Sequence, residues 1–287
     1  MYADLLGFVR AACTHASHAG RELPALPFYV KEHVVGWLRP SFADRLRRWP
    51  HVFEVGEAYV HLKAKPDTPA GRTDAIAEVI KELARDGVVT GWRDEMVSIT
   101  TAYGQPELLR IERAASRHFG IMAYGSHLNG FVHRGGMTHV WIARRSPDKP
   151  VDPDKLDNLV GGRISAGMSV DETLRKESWE EAGMSPGLLA GLNCTGAVRV
   201  EYSVPEGLHR EILFVHDLYL PDDFKPQNQD GEVSEIRCMA VEDVMASILA
   251  GEFTLDAGVV MIDGLLRLGA VLPEDAQYLD LLRLMKP

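Results

Sequence analysis

The stretch GGRISAGMSVDETLRKESWEEAGM, residues 161–184, decides how the rest of the chain is interpreted. Ser169 and Glu172 form an S-x-x-E capping box, which predicts a helix that begins at about Val170. Gly183 predicts a left-handed end to that helix, since glycine adopts the required backbone conformation without strain. The sequence therefore predicts a helix of about three and a half turns, preceded by a glycine-containing loop.

The last turn and a half of this helix carries three glutamates: Glu177, Glu180 and Glu181. Carboxylates near a helix C-terminus oppose the macrodipole, and residues 177 and 181 repel each other; each effect costs about 0.2–1 kcal/mol. All three fall within an arc of about 100°, and the loop at Gly161–Gly162 can fold back over them. They form either a plain solvated face or a site for Mg²⁺, which takes oxygen ligands and keeps waters for substrate phosphates.

Written out in full, the stretch resembles the signature of the Nudix hydrolases, which runs Gly, five residues, Glu, seven residues, then Arg-Glu-apolar-x-Glu-Glu-x-Gly-apolar. Gly162 matches the first glycine and Lys176 stands for the arginine. Met168 replaces the first glutamate and Ser178 replaces an aliphatic residue. The remaining positions match in register: Glu177, Glu180, Glu181, Gly183 and Met184.

The resemblance extends to segments on both sides of the signature: WRDE, FGIMAYGSHLNGFV, ARRSPDKP, LDNLVGG, DGEVSEI and MIDGLLRLG. Together they are similar to a two-domain Nudix subgroup that includes plant enzymes and proteins fused to thiamine pyrophosphokinase in some fungi. The resemblance implies an α+β fold, a Nudix α/β/α sandwich with a mixed sheet, preceded by a smaller α+β domain. We place the N-terminal domain at 1–120 and the Nudix domain at 121–287.

Local patterns add detail to both domains. Leu5, Val9, Cys13 and Ala16 share one face of an amphipathic first helix, and residues 28–38 and 51–63 are strand-like. Helices are predicted over 72–87 and over 106–120, each ending at a glycine. From residue 121 onward, strands and tight turns alternate with a few helices, beginning with a hairpin at Gly135–Gly136.

By the resemblance, the chain hydrolyses a diphosphate linkage with Mg²⁺, or with Mn²⁺ in its place. The metal ligands would be Glu177, Glu180, Glu181 and the backbone carbonyl of Gly162. Glu177 and Glu181 would be catalytic, and the general base is either a glutamate of the signature or a carboxylate of a distant loop, here Glu232 or Glu235. Three arginines could hold phosphate oxygens as bidentate donors or simply be solvated: Arg144, Arg145 and Arg163.

The subgroup resemblance implies thiamine diphosphate or its oxidised analogues as the substrate, cleaved to the monophosphate. Hydrolysis of ADP-ribose or another nucleoside diphosphate derivative would use the same residues. Two further alternatives stay open. One is a non-catalytic Nudix module that only binds its ligand, and the other is an isopentenyl diphosphate isomerase, for which Cys194 and Cys238 lie in no recognisable context.

Composition narrows the class of partner. The formal charge of −10 argues against a nucleic acid, which is normally met by a basic face. The three widely spaced cysteines form no disulfide framework and no zinc motif, which indicates a cytoplasmic setting. No apolar run is long enough for a membrane span, and the histidines lack metal-ligand spacing. We expect a small diphosphate-containing partner, while the oligomeric state, a homodimer included, is left open.

Overall fold

The computed structural model describes residues 1–13 and 25–287. Its N-terminal part is built on a four-stranded sheet: β1 (Leu26–Val30), β2 (His33–Leu38), β3 (Phe53–Val55) and β4 (Val60–Leu62), in the order β2-β1-β4-β3. Helices α2 (Pro40–Leu46) and α3 (Pro69–Arg85) pack with it around a core that includes Phe28, Phe53 and Phe119. Each predicted strand region here is in fact two strands. In the first region, Lys31 has φ +54° and turns the chain between β1 and β2.

The predicted helix over 106–120 is wrong. Residues Leu109–Glu112 form strand β6, which pairs antiparallel with β5 (Met96–Ile99), and a short 3-10 turn follows at Arg113–Ala115. Leu109 and Ile111 are buried while Arg110 between them is exposed, which is the two-residue period of a strand. Pairing with β5 therefore overrides the local helical pattern.

The second part of the chain is built on a mixed seven-stranded sheet. Its strands are β7 (Ala123–Arg134), β8 (Met137–Arg145), β9 (Leu156–Asp157), β10 (Val160–Arg163), β11 (Gly196–Val204), β12 (Gly207–Tyr219) and β13 (Val233–Ala240). The main order is β11-β12-β7-β8-β13, with β10 on β7 and β9 on β8. β12 runs parallel to β7 and the other pairs are antiparallel, so the predicted mixed sheet and the hairpin are confirmed.

Helices cover both faces of this sheet. Because successive strand residues point to opposite faces, neighbouring residues of one strand pack in different cores. Val132 faces the core beneath α4 (Val170–Ala182). Phe131 faces the other core, which contains α5 (Val241–Ala250), α6 (Leu255–Arg267) and α7 (Tyr278–Met285). The α/β/α sandwich expected from the sequence is therefore confirmed.

The first helix, α1 (Leu5–Ala12), packs in this second core, although its sequence position placed it with the N-terminal domain. Its apolar face, which includes Phe8 and Val9, is buried against α6 and α7. A ring carbon of Phe8 leaves no room for a side chain at Gly258, so the two helices approach closely. Ala16, assigned to the same helix from the sequence, lies outside the described residues.

Hydrogen bonds join the two parts of the molecule at several points. The Arg39 guanidinium donates to the carbonyls of Val204 and Pro205, and the Leu208 N–H donates to the carbonyl of Arg117. In the part of the chain that the structure describes, no helix is both long and apolar enough to cross a membrane.

Candidate active site

The signature helix and the glycine loop are folded against each other, as the sequence predicts. The capping box is present: Ser169 Oγ accepts from the N–H of Glu172, and the Glu172 carboxylate accepts from the N–H of Ser169. Gly183 ends the helix with φ +63°. Near the opposite end of the loop, the N–H of Gly161 donates to Glu181 Oε2 at 2.8 Å. This bond fixes the C-terminal half of α4 over strand β10.

The lack of a side chain at Gly162 makes this packing possible. A methyl group there would overlap the side-chain carbons of Glu177 and lie 2.8 Å from its Oε1. Glu177 therefore lies directly against the loop backbone, with its side chain only 16% exposed. On an adjoining side of the helix, Leu174, Ser178 and Ala182 are buried, so this face of α4 packs on the sheet.

The surroundings of Glu177 and Glu181 disfavour the charged form of both carboxyls. Burial raises the pKa of Glu181 well above its usual value, in spite of the Gly161 hydrogen bond, and the charges of Asp157 and Glu177 add to this effect. Burial also raises the pKa of Glu177, although Lys176 opposes the shift. Lys176 donates to Glu177 at 3.1 Å and to Glu180 at 2.6 Å, so it links these two carboxylates of the signature.

This donor set fits a divalent cation. Carboxylate oxygens and a backbone carbonyl are the ligands that Mg²⁺ prefers, and a cation would offset the repulsion between buried carboxylates. Glu177, Glu180, Glu181 and Gly162 all line one cavity of about 920 Å³. Their role as ligands stays a prediction, but the chain brings the four residues together. Met168, at the position of the missing signature glutamate, is not among the residues that line this cavity.

The two loop candidates for the general base lie in different places. Glu232 lines the cavity and is paired with Lys149, which also lines it. Glu235 is 3.5 Å from the Arg144 Nε, and neither of these two residues lines the cavity. The structure therefore brings Glu232, and not Glu235, to the glutamates of the signature.

The three arginines proposed for phosphate binding are all engaged with protein groups. Arg144 also donates to the Asp154 carbonyl at 2.6 Å. Arg145 lines the cavity, but it bonds Asp157 and two backbone carbonyls. The Arg163 side chain is 10% exposed, and it donates to both oxygens of Glu211 and to Ser116 Oγ. Burial opposes ionisation of Glu211, but the charges of Arg163 and His209, together with the Arg163 hydrogen bond, outweigh it and lower the pKa of that carboxyl.

The sequence did not predict the cluster at His209, Glu211 and Asp256, whose ligand-type atoms lie within 4.8 Å of one another. His209 Nε2 is 3.1 Å from Asp256, and its Nδ1 accepts from Arg117 at 3.3 Å. Arg163 forms an ion pair with Glu211, and the charge of Arg117 also favours the ionised form of Asp256, so the cluster is an ion network in the cavity wall. His209 and Glu211 share strand β12 and Asp256 belongs to α6, so only the H-x-E spacing of the first two was visible as a local signal.

The N-terminal part of the chain also lines the cavity, which no motif indicated. Its contribution is two segments, 90–95 and 113–118, represented by Thr90, Gly91, Arg93, Glu95, Arg113, Ala114, Ser116, Arg117 and His118. Glu95 Oε1 accepts from Ser165 Oγ at 2.7 Å, and the Ala166 N–H donates to the Met96 carbonyl. The loop before α4 is thus bonded directly to the first domain.

Comparison with known proteins gives matches along nearly the whole chain. A NUDIX domain model matches residues 128–258, and a model described as a domain of unknown function (DUF4743) matches residues 7–123. Two proteins of Arabidopsis thaliana, Nudix hydrolase 24, chloroplastic, and Nudix hydrolase 20, chloroplastic, are 37% and 36% identical. The matches span 99% and 97% of this chain and 78% and 77% of the relatives.

Among solved structures, the crystal structure of DR0079 from Deinococcus radiodurans is similar to part of the chain. The sequence identity is 22% and the TM-score is 0.44. The match covers 58% of this chain and 98% of the other.

Proposed function

The chain belongs to the Nudix hydrolase family, and from this premise we propose that it hydrolyses the diphosphate of thiamine diphosphate or of its oxidised analogues. Water would attack the terminal phosphorus, the bridging P–O bond would break, and the products would be the monophosphate and inorganic phosphate. The observation that carries the hydrolase assignment is the packing of Glu177 and Glu181 against the Gly161–Gly162 loop.

We assign a separate role in the reaction to each residue of the site. A bound Mg²⁺ would neutralise phosphate charge and polarise the attacking water. Glu177, Glu180, Glu181 and the Gly162 carbonyl would hold it. The Gly161 N–H holds the Glu181 carboxylate in place. Glu232, positioned by Lys149, is our candidate for accepting the proton of the attacking water.

The charge of the cavity favours a cationic organic group in the substrate. Among the described residues that line it, acidic side chains outnumber lysines and arginines. Thiamine carries a permanently cationic thiazolium ring beside its diphosphate, whereas ADP-ribose has no fixed positive charge. This electrostatic match supports the thiamine compounds over ADP-ribose as substrates, in agreement with the subgroup resemblance.

A substrate panel tests the proposal. Product release would be measured with and without Mg²⁺ for thiamine diphosphate, its oxo and oxy analogues, ADP-ribose, NADH and coenzyme A. We expect metal-dependent cleavage with the highest kcat/KM for a thiamine compound. A higher kcat/KM for ADP-ribose would contradict the proposed thiamine substrate. Tight binding without any cleavage would indicate a module that only binds its ligand.

A further inference from the structure

The turn at Gly91–Asp94 brings one arginine of the N-terminal domain to the cavity that the glutamates of the signature line. Thr90, Gly91 and Arg93 line the cavity, and the Arg93 side chain is exposed. Every other lysine or arginine among the described lining residues has an acidic partner within ion-pair distance. These pairs are Arg113–Glu95, Arg117–Glu206, Arg145–Asp157, Lys149–Glu232 and Arg163–Glu211, and Lys176 contacts both Glu177 and Glu180.

Arg93 differs from all of these residues. Within residues 1–13 and 25–287 its guanidinium has no acidic partner, and only its backbone N–H is bonded. A phosphate could bind the other cations only by displacing or sharing a carboxylate that already accepts from them. At Arg93 it would meet a guanidinium whose donors face water, and the two parallel N–H groups of arginine match two phosphate oxygens.

The backbone beneath Arg93 is held in place on both sides. Its N–H donates at 3.1 Å to Oε1 of the buried Glu112, which also accepts from the Ala114 N–H. Asp94 has φ +55° and accepts from the Trp92 indole N–H at 2.7 Å. The next residue, Glu95, bonds the loop before α4. The position of the Arg93 Cα relative to the signature helix is therefore fixed, while the side chain stays free to contact a ligand.

We propose that Arg93 binds phosphate oxygens of the substrate, so that the N-terminal domain completes the active site of the Nudix domain. This inference rests on the proposed diphosphate substrate. It also replaces the arginines indicated by the sequence, since Arg144, Arg145 and Arg163 are each committed to carboxylates or carbonyls of the protein.

The test compares the full-length protein with Arg93→Ala, Arg93→Lys and a matched control, Arg45→Ala. Arg45 is an exposed arginine on α2 that lines no part of this cavity. Isothermal titration with Mg²⁺ present would use inorganic pyrophosphate as the probe, and steady-state kinetics would use the preferred compound of the panel. Thermal unfolding would confirm that each variant is folded.

We expect Arg93→Ala to weaken pyrophosphate binding and to raise KM by about 10-fold or more, the size of one charge-assisted contact. Arg93→Lys should keep part of the affinity, and Arg45→Ala should match the wild type. Binding of unphosphorylated thiamine should be unaffected in all variants. If Arg93→Ala lowered thiamine affinity equally, or left pyrophosphate affinity and KM unchanged, the assignment of Arg93 to the phosphate would be wrong.

The outcomes for the two proposals are distinguishable. If the wild type cleaves a diphosphate and Arg93→Ala behaves like it, only the role of Arg93 fails. If the wild type cleaves nothing in the panel, the proposed function fails, while the pyrophosphate titration still decides whether Arg93 holds a diphosphate. A wild type that does not bind pyrophosphate at all would overturn the Arg93 proposal.

Discussion

Gly162 shows how a single residue allows the carboxylates of the site to come together. Its importance could be predicted from the sequence, because glycine is the residue that permits a close backbone approach. The partner in that approach, Glu177, could be identified only from the structure. The roles of Arg145 and Arg163 could not be read from the sequence either, since their partners Asp157 and Glu211 are set by strand pairing.

Replacing Gly162 with alanine should displace Glu177 from the loop. A shift of about 1 Å in a catalytic group can cost about 10²-fold in rate, so we expect kcat/KM to fall by about that factor. The Mg²⁺ concentration for half-maximal rate should rise as well. Steady-state rates over a Mg²⁺ titration would measure both effects.

Gly187→Ala is the control, because the nearest atom to a methyl group there is Ser185 Oγ at 3.8 Å. We expect this variant to retain wild-type rates. A Gly162→Ala protein with an unchanged Mg²⁺ dependence would show that the close approach of loop and helix has no part in metal binding.

Helix α4 is the element that the sequence predicted best. Its capping box and its left-handed glycine end are local patterns, and both are confirmed. The helix expected over 106–120 failed because pairing with β5, a non-local interaction, decides the conformation there. For the same reason the packing of α1 on α6 and α7 was not predicted.

Ser178→Ala should leave α4 as stable as before or make it more stable. The Ser178 hydroxyl is fully buried and has no hydrogen-bond partner, at a position where the Nudix signature has an aliphatic residue. Since an unsatisfied buried polar group costs about 1–3 kcal/mol, its removal should raise the free energy of unfolding by up to about 1 kcal/mol. Urea denaturation would measure the change.

Ser234→Ala provides the comparison, because that exposed hydroxyl donates to the Arg144 carbonyl at 3.2 Å. It should lower the free energy of unfolding slightly or leave it unchanged. A loss of more than about 1 kcal/mol in Ser178→Ala would mean that its hydroxyl is satisfied in solution.

At the scale of the whole molecule, the cavity is built by both domains. Segments 90–95 and 113–118 meet the Nudix domain through contacts between residues that are far apart in sequence, such as Glu95 with Ser165. Neither segment carries a chemical motif, so the sequence predicted the two domains without indicating that they share a site.

Glu95 should make the contact between the domains sensitive to acid. Burial raises the pKa of Glu95, but the charge and hydrogen bond of Arg113 and the bond from Ser165 outweigh it, so the pKa lies below the ordinary 4.5. A carboxyl with a lowered pKa stabilises the folded state above its unfolded pKa, and this contribution is lost as pH falls through the folded pKa. Glu95→Gln removes this contribution.

We therefore expect Glu95→Gln to be less stable than the wild type at neutral pH, with the difference shrinking below pH 4.5. Urea denaturation at several pH values would show this, and Glu57→Gln, an exposed position in the same domain, should follow the wild type throughout. A difference that stays constant down to about pH 3 would contradict the assigned ion pair.

The most direct test of the account is the Mg²⁺ dependence of phosphate release from the best-cleaved compound of the panel. It would be measured for the wild type, for Glu181→Gln and for Glu274→Gln, an exposed acidic residue outside the cavity. We predict that the wild type and Glu274→Gln need Mg²⁺ and react at the same rate, while Glu181→Gln is slower by at least about 10²-fold. Wild-type activity in Glu181→Gln, or cleavage without a divalent metal, would contradict the assignment of the loop and α4 as the catalytic centre.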